Sequence, residues 1–244
     1  MKSTVIAHFY NESYLLPYWL SHHKVLFDHG VMINYNSTDN SVDIIKKYTP
    51  SWKIINSVNK YFDASQCDSE VMLIEKEIEG IKICLNVTEF LLCKNISSLF
   101  SENIDTAFAI QRITMVEKWD CFNKFIYPVW ESRYYGYKHD NLINGKFRFI
   151  HNYIHGNYTC GRHGTSHSYA ITNRAIILWY GFSPFNFRMI LRKLQIKHKI
   201  PKSDFEKKYG IQHNINLFGL LRTFISQHKH NDISDLRSLF QKYV

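Results

Sequence analysis

The order of apolar runs in the first 85 residues constrains the fold more than any other feature. Ser3–Phe9 is a short apolar run that reads as a buried strand, stopped by Tyr10-Asn11-Glu12-Ser13. Leu15, Leu16, Trp19, Leu20, His23 and Phe27 then recur at helical spacing, with Pro17 tolerated in the first turn and Gly30 as a stop signal. Val31–Tyr35 is a second strand, followed by a polar turn over residues 36–41 and a short helix over Val42–Tyr48. Trp52–Asn56 is a third strand. Cys67–Glu79 is helical, with Val71, Ile74 and Ile78 on one face, and Ile81–Leu85 is a fourth strand after Gly80. Strands alternating with helices in this way predict an α/β fold on a mainly parallel sheet.

From about Ser101 the alternation fades. Thr106–Thr114 and Lys146–Ile150 read as strands, Ile176–Tyr180 as either strand or helix, and Phe185–Lys197, Leu217–Gln227 and Ser234–Tyr243 as helices. There is no repeat, low-complexity stretch or clear linker. The chain therefore reads as one domain over 1–244, with an α/β half (1–100), a mixed half (101–212) and a helical tail (213–244). Hydrophobic residues at 45% against 21% charged exclude disorder as the main state. With only 10 Gly and 5 Pro, a collagen-like or linker-like chain is excluded too. No apolar run approaches the roughly 18 residues needed to span a bilayer.

The formal charge is +9, and eight Lys and Arg fall between Arg188 and Lys208. Such an excess favours anionic partners: nucleic acid, an acidic membrane surface or a phosphorylated small molecule. The alternative is an ordinary solvated helix face. The five Cys are scattered, none in CxxC spacing, and form neither a disulfide framework nor a zinc site. The N-terminal residues lack the pattern of a signal peptide, so the expectation is a reducing, cytoplasmic setting, peripheral to a membrane at most.

In an open parallel sheet, ligands bind beyond the C-terminal ends of the strands. Three polar clusters sit there: His8, Asn11 and Glu12 after the first strand, Asn36, Ser37 and Asp39 after the second, and Asn86-Val87-Thr88-Glu89 after the fourth. Any one of them is more often a loop closure than a site. Their placement at strand ends of one sheet points to one pocket. The neighbouring His22 and His23 are about 100° apart on a helix and are not expected to chelate one ion.

The stretch Val5–Tyr48, with Asn11-Glu12 after a strand and Ser37-Thr38-Asp39-Asn40-Ser41 after the next, resembles the opening of family-2-like glycosyltransferases of the GT-A fold. The resemblance is specific over residues 3–92. It is weaker beyond, where it is carried by Gly161–His167 and Tyr209–Asn214. It implies a GT-A-type, Rossmann-like sheet flanked by helices. It also implies transfer of a sugar from a nucleotide-diphosphate sugar to a hydroxyl of a glycan, glycolipid or glycoprotein. His8, Asn11, Glu12, Asn36, Ser37 and Asp39 then bind the nucleotide. Arg162, Arg192, Lys193 and His213 reach the diphosphate.

One departure matters. Where that family has D-x-D-E-F, whose carboxylates hold Mg²⁺ or Mn²⁺, this chain has Asn86-Val87-Thr88-Glu89-Phe90. Hard divalent cations want carboxylate oxygens, so two of the expected ligands are poor ones. Three outcomes stay open: a weak metal held by Glu89 and a distant His163, a metal-free enzyme in which Lys and Arg neutralise the diphosphate, or an inactive relative. Catalytic roles fall to Glu89 near the sugar or metal, with Glu117 and Asp120 as candidate bases for the acceptor hydroxyl. The alternative for Glu117 and Asp120 is plain surface carboxylates. Tyr127, Trp130, Tyr134, Tyr135 and Tyr137 offer aromatic platforms for an acceptor sugar, or simple packing. The competing classes are a non-catalytic scaffold and a basic nucleic-acid-binding module. For the latter no helix-turn-helix, zinc or ribonucleoprotein signature is present.

Overall fold

The structure is a computed structural model that describes residues 1–101, 106–118, 125–138, 147–210, 213–229 and 232–244. The first half follows the sequence pattern closely: β1 (Ser3–Phe9), α1 (Leu16–His23), β2 (His29–Asn34), α2 (Ser41–Tyr48), β3 (Lys53–Asn56), α3 (Ala64–Glu75) and β4 (Ile81–Cys84). These strands lie side by side in the order β3-β2-β1-β4, all parallel. Side chains alternate along β1. Val5, Ala7 and Phe9 join Trp19 and Leu20 of α1 on one face, while Ile6 joins Cys67 and Val71 of α3 on the other. Even-numbered His8 therefore shares the α3 face and packs its ring 5.4 Å from Phe62. Trp52 lies flat against Gly30, where a Cβ would meet its ring at 2.1 Å, so only glycine fits at the start of β2.

The second half adds β5 (Glu89–Cys93), β6 (Ala107–Met115), the one-turn α4 (Val129–Ser132), β7 (Tyr135–Lys138), β8 (Arg148–His151) and β9 (Tyr169–Trp179). After them come α5 (Phe187–Ile196), α6 (Lys202–Glu206), α7 (Leu217–Gln227), β10 (Ser234–Asp235) and α8 (Arg237–Phe240). All ten strands of the described residues belong to one sheet. The sheet is mixed, not mainly parallel. β8 pairs antiparallel with β4 and β6, β7 with β6 and β10, and β5 with β9, while β6 and β9 are parallel. The reason lies in the connections. Parallel neighbours need long crossovers, usually helical. Between β4 and α5 the described helices are single turns.

Of the two readings open for Ile176–Tyr180, the structure shows strand over Ile176–Trp179, the end of the eleven-residue β9. Two further expectations are corrected. Glu89-Phe90 opens β5, whose five residues are all buried, so only residues 85–88 form the loop after β4. The tail is not purely helical: Ser234 and Asp235 pair with β7, and the Asp235 carboxylate accepts from Arg237 N at 3.0 Å, delaying the helix to Arg237. His22 and His23 do not form a metal pair. His22 Nε2 bonds the Leu91 carbonyl at 2.6 Å and His23 Nδ1 bonds that of Trp19 at 2.9 Å. Burial lowers both pKa values, that of His22 to about 4.

Candidate functional site

Beyond the C-terminal ends of β1 and β4 lies a cavity of about 520 Å³. Its walls come from distant parts of the chain. His8 and Glu12 arrive from the end of β1, Asp68 from α3, and Asn86 and Thr88 from the loop after β4. Arg112 comes from β6, Arg148 from β8, Arg162 and His163 from the loop before β9, and Trp179 from the end of β9. Arg192 and Lys193 come from α5, Asp204 from α6 and His213 from the segment before α7. Sequence reasoning placed the pocket at these strand ends, and the structure brings His8, Glu12, Arg162, His163, Arg192, Lys193 and His213 around it.

Three of the cations are matched to carboxylates. Arg192 makes a two-point ion pair with Glu12, both 7% exposed. Arg162 pairs with Asp68, which also accepts from Gly161 N at 2.6 Å. The tight turn that brings Arg162 back to α3 puts Gly161 and Arg162 both at positive φ, 83° and 58°. A non-glycine residue there is strained, a feature that clusters at functional sites. Arg148 donates through Nε to both oxygens of Glu89, at 3.1 and 2.9 Å. Its Nη1 donates to the carbonyls of Gly161 and Arg162 at 2.8 and 3.2 Å. The same Nη1 lies 3.2 Å from His163 Nδ1, which is also 3.3 Å from the Phe147 carbonyl oxygen.

Two cations have no such match. The Arg112 guanidinium lies 4.4 Å from the centre of the Trp179 ring, and its buried Nε has no hydrogen-bond partner. The Lys193 ammonium lies 4.2 Å from the Phe182 ring and 5.7 Å from that of Trp179. Cation–π contact gives partial compensation only. Burial and the charges of Arg192 and Arg112, opposed by Glu12, bring the Lys193 pKa down to about 7. Burial lowers Arg112 to about 10, with Glu89 opposing and Arg148 adding to the shift. The histidines feel the same field. Burial and Arg148 hold His163 at about 3, burial together with Lys193 and Arg192 holds His213 at about 3, and burial with Arg162 and Arg148 holds His8 far below its ordinary value. His8 Nδ1 and His213 Nδ1 are buried without a partner. A buried excess of positive charge with unfilled donors is a receptor for an anion.

Other expected residues lie elsewhere. Glu89 is fully buried beneath the cavity and does not line it. Burial would raise its pKa, but Arg148 and the Asn86 N–H (2.8 Å) outweigh that and lower it. Asn11, Asn36, Ser37 and Asp39 do not line the cavity either. Asn36 sits at a positive φ of 63°, and Asn11, Ser37 and Asp39 stitch the loops after β1 and β2 together. Asn11 Oδ1 accepts from Thr38 N, Ser37 Oγ accepts from Asn11 N, and the Asp39 carboxylate accepts from Ser13 N and Ser41 N, both at 3.0 Å. Glu117 lies outside the cavity, paired with Arg133 at 3.1 Å and accepting from Ser183 Oγ. Burial raises its pKa, against the pull of Arg133. Asp120 lies outside the described residues.

The aromatic stretch from Tyr127 to Tyr137 does not reach the cavity. Trp130 packs on His22 at 4.9 Å and Tyr134 on Tyr135 at 4.7 Å. Sequence reasoning missed Arg112, Arg148, Asp68 and Trp179. The signal for two of them is a lone arginine inside an apolar strand, as in Ala107–Met115 and Arg148–His151, where a buried charge needs a reason.

A divalent metal does not fit these residues. Among the described residues no group of three His, Cys, Asp or Glu is arranged to hold one. Glu12, Asp68 and Glu89 are each committed to an arginine, and the Asp204 carboxylate accepts from Ala64 N at 2.9 Å. No described helix is long and apolar enough to cross a membrane.

Compared as a sequence, the chain matches no protein-family profile and no curated protein. Among solved structures it is similar to S. aureus TarS 1-349, at 14% identity and TM-score 0.45, over 95% of this chain and 74% of that one. In the longer S. aureus TarS the match spans 44% of that chain, at TM-score 0.44. It is also similar to glucosyl-3-phosphoglycerate synthase from Mycobacterium tuberculosis, at 10% identity and TM-score 0.33, over 46% of this chain and 44% of that one. Structures of TarS 1-349 with UDP-GlcNAc, and of the synthase with UDP and Mg²⁺, are among the similar ones. At these scores the chain path is alike only in outline, and the site's chemistry has to be read from its own residues.

Proposed function

We propose that the protein is a glycosyltransferase that moves a sugar from a nucleotide-diphosphate sugar to a hydroxyl of a carbohydrate-bearing acceptor. The observation that carries this reading is the buried excess of cations around the cavity at the ends of β1 and β4. In the reaction the acceptor oxygen bonds to the anomeric carbon. The bond from that carbon to the β-phosphate oxygen breaks, and its electron pair stays on the diphosphate. Charge therefore grows on the leaving group, and cations fixed in place before the reaction stabilise it without reorganising. Arg112, Arg148, Arg162, Arg192 and Lys193 are so fixed. The hydroxyl proton needs a base in the cavity. His213, whose Nδ1 has no partner, takes that role once the diphosphate offsets Lys193 and Arg192.

Residues 1–100 provide the strand ends under the diphosphate, and 101–212 provide β6, β8, β9 and α5 around it. The outer face of α5 presents Phe187 and Leu191, and that of α7 presents Phe218, Leu221 and Ile225, all exposed. Phe185, just before α5, stacks its ring on that of Phe224 of α7, 3.9 Å apart. With Arg188 and Arg222 exposed beside these residues, we place this face at an anionic lipid surface that carries the acceptor. The test of function is a thermal-shift panel of nucleotide sugars with and without Mn²⁺, followed by donor turnover. Stabilisation by a nucleotide sugar with turnover is expected. Binding without turnover against any acceptor would make the chain a non-catalytic scaffold. Stabilisation by DNA or RNA and by no nucleotide sugar would replace the reading with nucleic-acid binding.

A further inference from the structure

We propose that Arg112 and Lys193 together take the place of the divalent cation, so that the cavity binds the diphosphate of its donor with no metal. This rests on the nucleotide-sugar reading above and adds to it which groups hold the phosphates.

Asn86 and Thr88 line the cavity but are neutral. Glu89, the one carboxylate of that segment, is fully buried with both oxygens on Arg148. A carboxylate in that position cannot turn toward an ion without stripping Arg148 of its counter-charge. Of the carboxylates that do line the cavity, Glu12 and Asp68 face the same constraint from Arg192 and Arg162, and Asp204 is held by the Ala64 N–H at 2.9 Å. A divalent cation entering here would also meet the repulsion of five nearby cationic side chains.

Arg112 and Lys193 are the opposite case. They are 7% and 5% exposed, face the cavity, and rest on aromatic rings rather than on carboxylates. Burying a charge without a partner destabilises the empty protein. Such a pair makes physical sense when a ligand completes it. Two positive charges match what one divalent ion would bring to a diphosphate. A guanidinium also offers the forked donors that suit phosphate oxygens, and an ammonium offers a point charge. Trp179 and Phe182 hold both groups without competing for their donors.

Isothermal titration of the full chain with UDP, GDP, CDP and dTDP, in EDTA and in Mg²⁺ or Mn²⁺, tests this. At least one nucleoside diphosphate should bind in EDTA, with an affinity that added metal changes by less than about threefold. Arg112→Gln and Lys193→Met should each weaken it by about tenfold or more, and Lys193→Arg should restore most of the loss. The empty Arg112→Gln protein should melt at or above the wild-type temperature, because an unmatched buried charge is gone. Binding seen only with metal overturns the proposal and leaves the glycosyltransferase reading standing. Affinity unchanged in both variants overturns it as well. No binding of any of the four in either buffer overturns that reading and the proposal with it. The EDTA comparison uses wild-type protein, so it decides even if a variant fails to fold.

Discussion

Arg148 on β8 and Glu89 on β5 are joined by two hydrogen bonds from one nitrogen, at 3.1 and 2.9 Å, in a place where Glu89 has no exposed surface. The carboxylate that resemblance points to as a metal ligand is instead the counter-charge of a cavity arginine. Its job is to keep Arg148 buried, extended and aimed at the carbonyls of Gly161 and Arg162.

Glu89→Gln should therefore act on stability first. Breaking a buried pair from one side leaves the other charge unmatched and typically costs about 3–5 kcal/mol. Urea unfolding of wild type and variant measures it. A loss under about 1 kcal/mol would show that Arg148 finds other compensation. The pH dependence has a definite sign. The folded carboxyl has its pKa below the ordinary carboxylate value, so its contribution is complete above that value and is lost as pH falls through the lower, folded one. Stability attributable to the pair should hold at pH 5 and decline in the more acidic range.

Lys193 gives the opposite kind of linkage. Its pKa is lowered to about 7 by burial and by Arg192 and Arg112, with Glu12 opposing and His213 also beside it. Between about pH 7 and the ordinary lysine value the unfolded chain carries the proton and the folded chain does not, so the empty protein should gain stability as pH rises across that window. Anion binding runs the other way, since a seated diphosphate favours the charged ammonium. Affinity for a nucleoside diphosphate should fall above pH 7 and uptake of a proton should accompany binding there. Calorimetry in buffers of different ionisation enthalpy reads the proton directly. A pH profile identical in Lys193→Met would remove Lys193 from the site.

Much of the first half is legible in the sequence, because β1, β2, α1 and α2 are set by local patterns: apolar alternation, helical spacing and polar stops. The site is less legible, for a physical reason. His8 and Glu12 are marked by their place after a strand. Arg112, Arg148 and Asp68 owe their role to neighbours far along the chain, such as Asp68 and Arg162, 94 positions apart. No local pattern encodes such a pairing. The same limit applies at Ser37 and Asp39, in a motif-like run of polar residues whose side chains accept from the backbone N–H groups of Asn11, Ser13 and Ser41.

Asp39→Ala separates those two roles. Its carboxylate accepts from Ser13 N and Ser41 N, the latter at the first residue of α2, so removal should cost about 1–2 kcal/mol, in the range of a lost cap. Because Asp39 does not line the cavity, affinity for a nucleoside diphosphate should fall by less than about threefold. A loss of tenfold or more in a variant that melts normally would put Asp39 in contact with the nucleotide.

The exposed face of α5 and α7 is open to a direct test. Phe187 and Phe218 are 71% and 77% exposed, and Leu191, Leu221 and Ile225 lie at helical spacings from them. α5 links the two sides of this region, since Arg192 and Lys193 line the cavity while Phe187 and Leu191 face outward. An interfacial helix face gains from apolar insertion and from attraction of its basic residues to anionic lipid. The protein should co-sediment with vesicles containing phosphatidylglycerol, less so as salt rises, and weakly with phosphatidylcholine alone. Replacing Phe218 and Leu221 by Ser removes roughly 3–6 kcal/mol of possible apolar insertion at full burial, so even partial burial should cost about tenfold in partitioning. Melting temperature should stay unchanged, because neither side chain is in the core. If the double variant partitions like wild type, or if neutral vesicles bind as well as anionic ones, this face meets something other than an anionic membrane.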